Sequence, residues 1–450
     1  MRILSILLVS SPLERSFPMY DCILLGATLP GMTLGAMLAR TGWKVLLLER
    51  KRIAGGRAAP WKRDGFLSMP GIPRVRYGEK GPFYRICRQL GLKPLLVPMN
   101  QAWVFDTDQK VRRITIGKPG ILRADFFSKW DWVFALRLLR SLKGETLEDL
   151  EEESLEEWFV RNSIRGSLQK YLKVLAYEAT HCTAPERISA GETLRCFQKS
   201  FHLRSYLAYP REGWIPILEG LEREIENHGE IRWRTRVERI EIKEGKVTGV
   251  RVGGETLEAS HVVCAAPCQQ LVSLLPEGAT TKEFIDLCRK AVPSTALIVD
   301  LALKNRIFHK KGLWFFMDPP SYGTFLSNLC HRHAPAGKQL ATFVCPCSPE
   351  ELRQPEVVRA LEKKIEENLR KALPRAEMAV EWKRSHVVRM LDSVAIQSDQ
   401  TRKDRPGYRV PNVKGLFLVG DSTCAPGAFM EMEYESVLAC YERMTTERNA

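Results

Sequence analysis

Residues 20–49 carry their apolar side chains in blocks. Asp21-Cys22-Ile23-Leu24-Leu25-Gly26 is an apolar run ended by glycine, residues 29–40 place apolar side chains at helical spacing, and Val45-Leu46-Leu47-Leu48-Glu49 is a second apolar run. Runs this short and this apolar suit strands buried on both faces. The periodic stretch between them suits a helix stopped by Gly42. The pattern predicts a strand, helix and strand of about 30 residues, the size of one nucleotide-binding unit.

Further along, residues 121–204 read as helical, and within them the stretch 145–157 holds eight carboxylates, predicting a solvated face with a helix start. Another helix is predicted over 216–228. After it Ile231, Trp233, Thr235 and Val237 alternate with charged residues, as in one half-buried strand over 231–240. Glu244-Gly245 predicts a hairpin turn into a strand at 246–252, and a third strand ends at 261–266. The chain closes with a strand at 415–420, a polar turn and a helix to the C-terminus.

At 450 residues, 44% hydrophobic and 27% charged, the chain exceeds what one core usually serves. The formal charge of +15 favours an anionic partner: a phospholipid surface, a phosphate-bearing cofactor or nucleic acid. Twelve cysteines at irregular spacing suggest free thiols in a reducing compartment. The densest group of soft ligands is Cys330, His331, His333, Cys345 and Cys347, but the Cys345/Cys347 spacing is one residue short of a zinc knuckle and 340–345 reads as a buried strand, so no metal is expected. Residues 3–9 are apolar but far too short to span a bilayer, and residues 1–18, ahead of Met19, read as an N-terminal extension.

The turn after the first strand is Gly26-Ala27-Thr28-Leu29-Pro30-Gly31. Gly26 permits a tight turn, Gly31 lets the helix pack close to the sheet, and Pro30 suits a first helical turn. Free N–H groups at that helix start can receive a pyrophosphate. Thr28 stands where the dinucleotide fingerprint has its second glycine. Glu49, 23 residues after Gly26, can accept both ribose hydroxyls, while Arg50, Lys51 and Arg52 keep a ribose 2′-phosphate open.

Glu49 to Arg57, ending in Gly55-Gly56-Arg57, resembles the segment that follows the second strand in the superfamily of flavin amine oxidases, phytoene desaturases and protoporphyrinogen oxidases. The resemblance continues at Tyr209-Pro210-Arg211-Glu212-Gly213-Trp214, through 235–267, and at Gly415-Leu416-Phe417-Leu418-Val419-Gly420-Asp421. It implies an α/β fold: a Rossmann-like FAD-binding domain assembled from 19–80, 205–270 and 405–450, with a discontinuous α+β substrate domain from 81–204 and 271–404. It implies FAD at Gly26, Ala27, Thr28, Gly31, Glu49, Arg50, Gly55, Gly56 and Arg57, with Val237 against the adenine. Gly420 and Asp421 would meet the ribityl or pyrophosphate side, and Met430, Glu431 and Met432 the flavin ring.

The chain departs from the family at Thr28, at Glu212 in place of a glycine, and at 425–432, where relatives have a glycine cluster. Glu431 and Glu433 either face solvent as first-turn acids, or Glu431 points at the flavin ring and lowers its potential. The function implied is an FAD-dependent oxidoreductase of a hydrophobic, isoprenoid or carotenoid-like substrate, by desaturation, dehydrogenation or isomerisation. Alternatives are oxidation of an amine or porphyrinogen, or an FAD-binding protein that has lost catalysis. With no second nucleotide fingerprint, oxygen or a quinone is the expected electron acceptor. Residues 125–143 mix Phe126, Phe127, Trp130 and Trp132 with Lys129, Arg137 and Arg140, suiting either an anionic membrane surface or a buried helix. A cytoplasmic protein, peripheral to a membrane and without nucleic acid, is the resulting expectation.

Overall fold

The computed structural model describes residues 19–116, 133 and 146–449. Residues 1–18 and nearly all of the 125–143 segment lie outside them. Among the described residues no helix is long and apolar enough to cross a membrane.

The first sheet grows from the blocks that open the chain. Strand Tyr20–Leu25 sits centrally between Val45–Glu49 on one side and Glu255–Cys264 on the other, paired in parallel with both. Gly229–Trp233 adds in parallel beyond Val45–Glu49, and Leu416–Leu418 in parallel beside Glu255–Cys264. Helix Leu29–Arg40 covers this sheet, buried along nearly its whole length. That burial on both faces is why these strands read as unbroken apolar runs.

The single strand expected over 231–240 is two strands. Gly229–Trp233 ends at Arg234, whose φ of 56° lies in the left-handed region, and Arg239–Lys243 begins an antiparallel meander with Lys246–Val252. Between them the chain follows the end of the second strand: Arg234 N–H donates to the Lys51 carbonyl at 3.0 Å and Thr235 N–H to the Glu49 carbonyl at 2.8 Å. The alternation is real, but the chain changes partner midway.

The second sheet runs in the order Val380–Val388, Ala296–Leu303, Gln339–Pro346, Pro320–Phe325, Leu313–Met317, Gln101–Phe105 and Val111–Thr115. Its two faces belong to different cores. Ala296, Ile298, Ala302, Phe315, Tyr322 and Val344 share a core with side chains of the first sheet and its helix, such as Leu24 and Leu34. Leu297, Val299, Leu301, Trp314 and Phe343 pack with Ile365 and Leu369 of helix Pro355–Ala372. The inner face therefore looks toward the first sheet.

Helices Leu155–Arg161, Gly166–Thr180 and Ala190–Leu203 follow the acidic stretch. Ser154 caps the first of them with a reciprocal Glu157 bond, as a helix start. The stretch is not wholly a solvated face, however. Glu151 is buried against Arg195 at 2.7 Å, with Arg402 at 3.6 Å, because a later segment brings it cations. The buried pair Arg405–Glu192, at 2.7 Å, ties the same helices to the chain before the last strand.

Candidate cofactor and active site

At the first turn the fingerprint's geometry follows from its residue types. A Cβ on Gly31 would lie 2.3 Å from the Gly26 carbonyl oxygen and 2.8 Å from Ala265 Cβ, so only glycine lets the helix start so close to the sheet. Thr28 folds its side chain over the helix start. Its hydroxyl donates to the Ala265 carbonyl at 3.1 Å and accepts from Gly31 N–H at 3.2 Å, while its methyl faces Gly56. Thr28 is thus the helix N-cap, a role that glycine lacks the side chain to fill.

Glu49 is buried at the end of the second strand. Its carboxylate accepts from Ala27 N–H and Lys51 N–H, each at 2.8 Å. Both oxygens keep a further acceptor site, as a ribose would require. Arg50, Lys51 and Arg52 are exposed, and Val237 is half-buried against the core that holds Leu25, Leu46 and Leu48. Gly55, at φ 101°, docks on the turn by donating to the Ala27 carbonyl at 2.8 Å. That contact carries Arg57 across the sheet end to the last motif.

Arg57 donates to Asp421 at 2.7 Å and to the Leu391 carbonyl at 3.0 Å. Asp421 also accepts from Ser393 N–H at 2.8 Å and from the Ser393 hydroxyl at 2.6 Å. The end of the last strand abuts the first helix, for a Cβ on Gly420 would lie 3.7 Å from Pro30. The two ends of the predicted cofactor site are thereby brought together. Burial pushes the Arg57 guanidinium down, but the carboxylates of Asp421, Glu433 and Asp392 outweigh it and raise it overall.

Neither acid at the start of the final helix, Met430–Asn449, faces solvent. Glu431 accepts from Tyr77 Oη at 2.9 Å and from the Lys199 ammonium, which commits both of its oxygens. It therefore lies against Tyr77 and helix Ala190–Leu203. Glu433 is the one beside Arg57, at 3.7 Å. Met430 packs in the main core, and Met432 in a small cluster with Ile396, Ala425 and Ala428. Phe429 holds φ at 52°, a conformation that costs a non-glycine residue about 1 kcal/mol.

Around Phe429 stands a polar array that no local motif announces. The His181 ring lies 3.8 Å from the Phe429 ring, and Arg74 and Arg76 lie over that ring at 5.5 and 5.4 Å. His181 Nδ1 meets Asp392 at 2.5 Å, and its Nε2 meets the Tyr322 hydroxyl. The Ser294 hydroxyl donates to Asp392 at 2.6 Å. An ionised Asp392 can only accept, so Nδ1 carries the proton and Tyr322 donates to Nε2. Burial lowers His181 despite the opposing pull of Asp392, which keeps the imidazole neutral. Glu178 holds Arg74 at 2.8 Å and Arg76 at 3.4 Å; burial raises its carboxyl, but Arg76 and Arg74 bring it down overall.

Comparison with known proteins settles the class. The family described as flavin containing amine oxidoreductase matches residues 29–439. The chain belongs to that family. It is similar to 15-cis-phytoene desaturase of an Oncidium hybrid cultivar, with 23% identity over 90% of this chain and 74% of the other. It is similar to prolycopene isomerase of Daucus carota at 23% identity, over 95% of this chain and 80% of the other. Among solved structures, an oxidoreductase from Methanosarcina mazei superposes with a TM-score of 0.78 at 20% identity, covering 94% and 99% of the two chains. Putrescine oxidase bound to putrescine gives a TM-score of 0.71 at 13% identity, covering 96% and 99%.

The chain is an FAD-dependent oxidoreductase with the α/β fold of this family. Its own residues fit the cofactor. A cradle closed to any Cβ, a buried carboxylate with free acceptor capacity and an arginine–aspartate pair meet at one end of a parallel sheet. The soft-ligand group of the second sheet is otherwise engaged: His333 Nδ1 meets the Leu67 carbonyl and its Nε2 the Tyr209 hydroxyl. Among the described residues no group of three or more histidines, cysteines or acids is placed to hold a metal.

Proposed function

We propose that this flavoenzyme dehydrogenates or isomerises an isoprenoid or carotenoid-like substrate lying against the inner face of the second sheet. FAD, when bound, supplies the hydride acceptor at its N5. In this reading Gly26 to Gly31 receive the pyrophosphate at the helix start, Glu49 the ribose, Val237 the adenine, and Arg57 with Asp421 the middle of the cofactor. The inner face supports the reading: Ala296, Ile298, Ala302 and Val344 form an apolar wall buried in the main core, interrupted by Asp300, which accepts from Ser68 and Thr342. The wall reaches Tyr322 and His181, which can take and return a proton where hydrogen leaves or a double bond shifts.

An ammonium substrate fits this neighbourhood poorly. Beside Phe429 the carboxylates of Glu178 and Asp392 are already engaged, the first by Arg74 and Arg76 and the second by His181 and Ser294, which leaves none free for an ammonium. Support for the substrate class also comes from relatives named for phytoene and prolycopene, which match nine-tenths of the chain or more. We further infer a cytoplasmic enzyme that meets its substrate at an anionic lipid surface, drawn by the charge of +15, and passes electrons to oxygen or a quinone.

The test is anaerobic mixing of the FAD-loaded protein with polyprenes, porphyrinogens and amines in turn. Bleaching of the flavin by a polyprene alone is the expected result. Bleaching by an amine or a porphyrinogen would replace this reading. Bleaching by none, with carotenoid isomers also unchanged, would favour a cofactor-binding protein without catalysis.

A further inference from the structure

Three carboxylates converge on one guanidinium at the cofactor end of the molecule: Asp421 after the last strand, Asp392 after strand Val380–Val388, and Glu433 in the first turn of the final helix. They are not equivalent. Asp421 accepts from Arg57 and twice from Ser393. Asp392 accepts from Ser294 and His181. Among the described residues the Glu433 carboxylate accepts no hydrogen bond; its contact is Arg57 at 3.7 Å, and its side chain keeps 14% exposure. Tyr434, next on its own helix, is a buried neutral phenol. The local count is three negative charges against one positive, before a pyrophosphate adds more negative charge at the abutting helix start.

We propose that Glu433 is a cofactor-site residue that works as a neutral carboxyl, and that FAD binds the ionised protein only with uptake of a proton there. The donors aimed at Asp421 and Asp392 occupy their carboxylate oxygens, so Glu433 is the group free to take the proton. Burial first, and then Asp421 and Asp392, push its carboxyl up to about 8 against the pull of Arg57. Bound phosphate would push it in the same direction. Protonation also frees Arg57 from a competing anion and turns Glu433 into a hydrogen-bond donor toward the cofactor. The inference rests on Arg57 and Asp421 holding FAD.

The sign follows from linkage. Below the free-protein value Glu433 already holds its proton and affinity does not vary with pH. Above it each bound FAD must draw a proton, so affinity falls as pH rises, by up to about tenfold per pH unit. The experiment titrates apoprotein with FAD by flavin fluorescence between pH 6.5 and 9, and repeats the binding calorimetrically in buffers of different ionisation enthalpy. Wild type should show a flat affinity at the acid end, a loss at the alkaline end, and proton uptake rising from about none toward about one. Glu433→Gln should bind FAD with a flat profile and no proton uptake, whereas Glu431→Gln should keep the wild-type profile. Flat wild-type affinity without proton uptake, or a pH dependence that persists in Glu433→Gln, would overturn the proposal. Should Glu433→Gln fail to fold, the wild-type proton count decides. Unchanged affinity in Arg57→Ala would instead fault the placement of the cofactor.

Discussion

Glu49 and Asp421 are both buried carboxylates at the ends of parallel strands, and both face the predicted cofactor site. Glu49 is held by backbone N–H groups of Ala27 and Lys51, within its own strand–helix–strand unit. Asp421 is held by Ser393 and by Arg57, which is 364 positions away. The first end can form as soon as its local unit forms. The second needs three segments of both sheets in place, so its stability depends on the whole tertiary fold. Glu178, between Arg74 and Arg76, belongs to the second kind and is buried more deeply than either.

The largest effect expected from this contrast is therefore at Glu178. Glu178→Ala would leave two buried guanidinium groups without their counter-charge, and loss of one partner of such a cluster costs about 3–5 kcal/mol. Urea unfolding followed by tryptophan fluorescence should show a fall in midpoint of that size. A change below about 1 kcal/mol would mean that the arginines find other partners and that the array is not a structural tie. Next in size is Glu49→Ala, which should cost about 1–3 kcal/mol of stability by leaving the Ala27 and Lys51 N–H groups unpaired, and weaken FAD by about 1–3 kcal/mol through lost charge-assisted bonds. Equal affinity in a fluorescence titration would place the ribose elsewhere.

The same contrast explains what the residues revealed on their own. The first unit was legible because its signals are local: apolar runs, a glycine turn and an acid within 30 residues. The family resemblance reached the last motif because a strand followed by Gly420-Asp421 is also a local string. Orientation was not legible. Nothing near Glu431 in the chain announces Tyr77 or Lys199, which arrive from 354 and 232 positions away. The array of Arg74, Arg76, Glu178, His181, Tyr322 and Asp392 left no trace for the same reason, its members being spread over four segments.

Glu431 gives a sharper form of the comparison. Were it aimed at the flavin, Glu431→Gln would raise the two-electron midpoint. Held by Tyr77 and Lys199, it should instead cost about 1.5–3 kcal/mol of stability, the worth of hydrogen bonds to a charged group. The midpoint in a dye-equilibration titration should then move by less than about 30 mV, the two-electron equivalent of a factor of ten. A larger rise at unchanged stability would put its charge back at the ring.

The smallest effect is expected where the sequence looks most defective. Thr28 replaces the glycine that lets backbone approach a pyrophosphate, and on that ground alone Thr28→Gly should tighten FAD. The side chain, however, is folded back on the protein, its methyl against Gly56 and its hydroxyl bonded to the Ala265 carbonyl and to Gly31 N–H, where it caps the helix. Glycine would remove the cap and its methyl packing. An N-cap exchanged for glycine costs only a few tenths of a kcal/mol, because water can reach the freed N–H. Thr28→Gly should accordingly lower the thermal midpoint slightly and leave FAD affinity within about a factor of two, which corresponds to roughly 0.4 kcal/mol. Tightening by tenfold or more would show the threonine standing in the path of the phosphates, and the first end of the site would then be a compromised fingerprint and not a capped one.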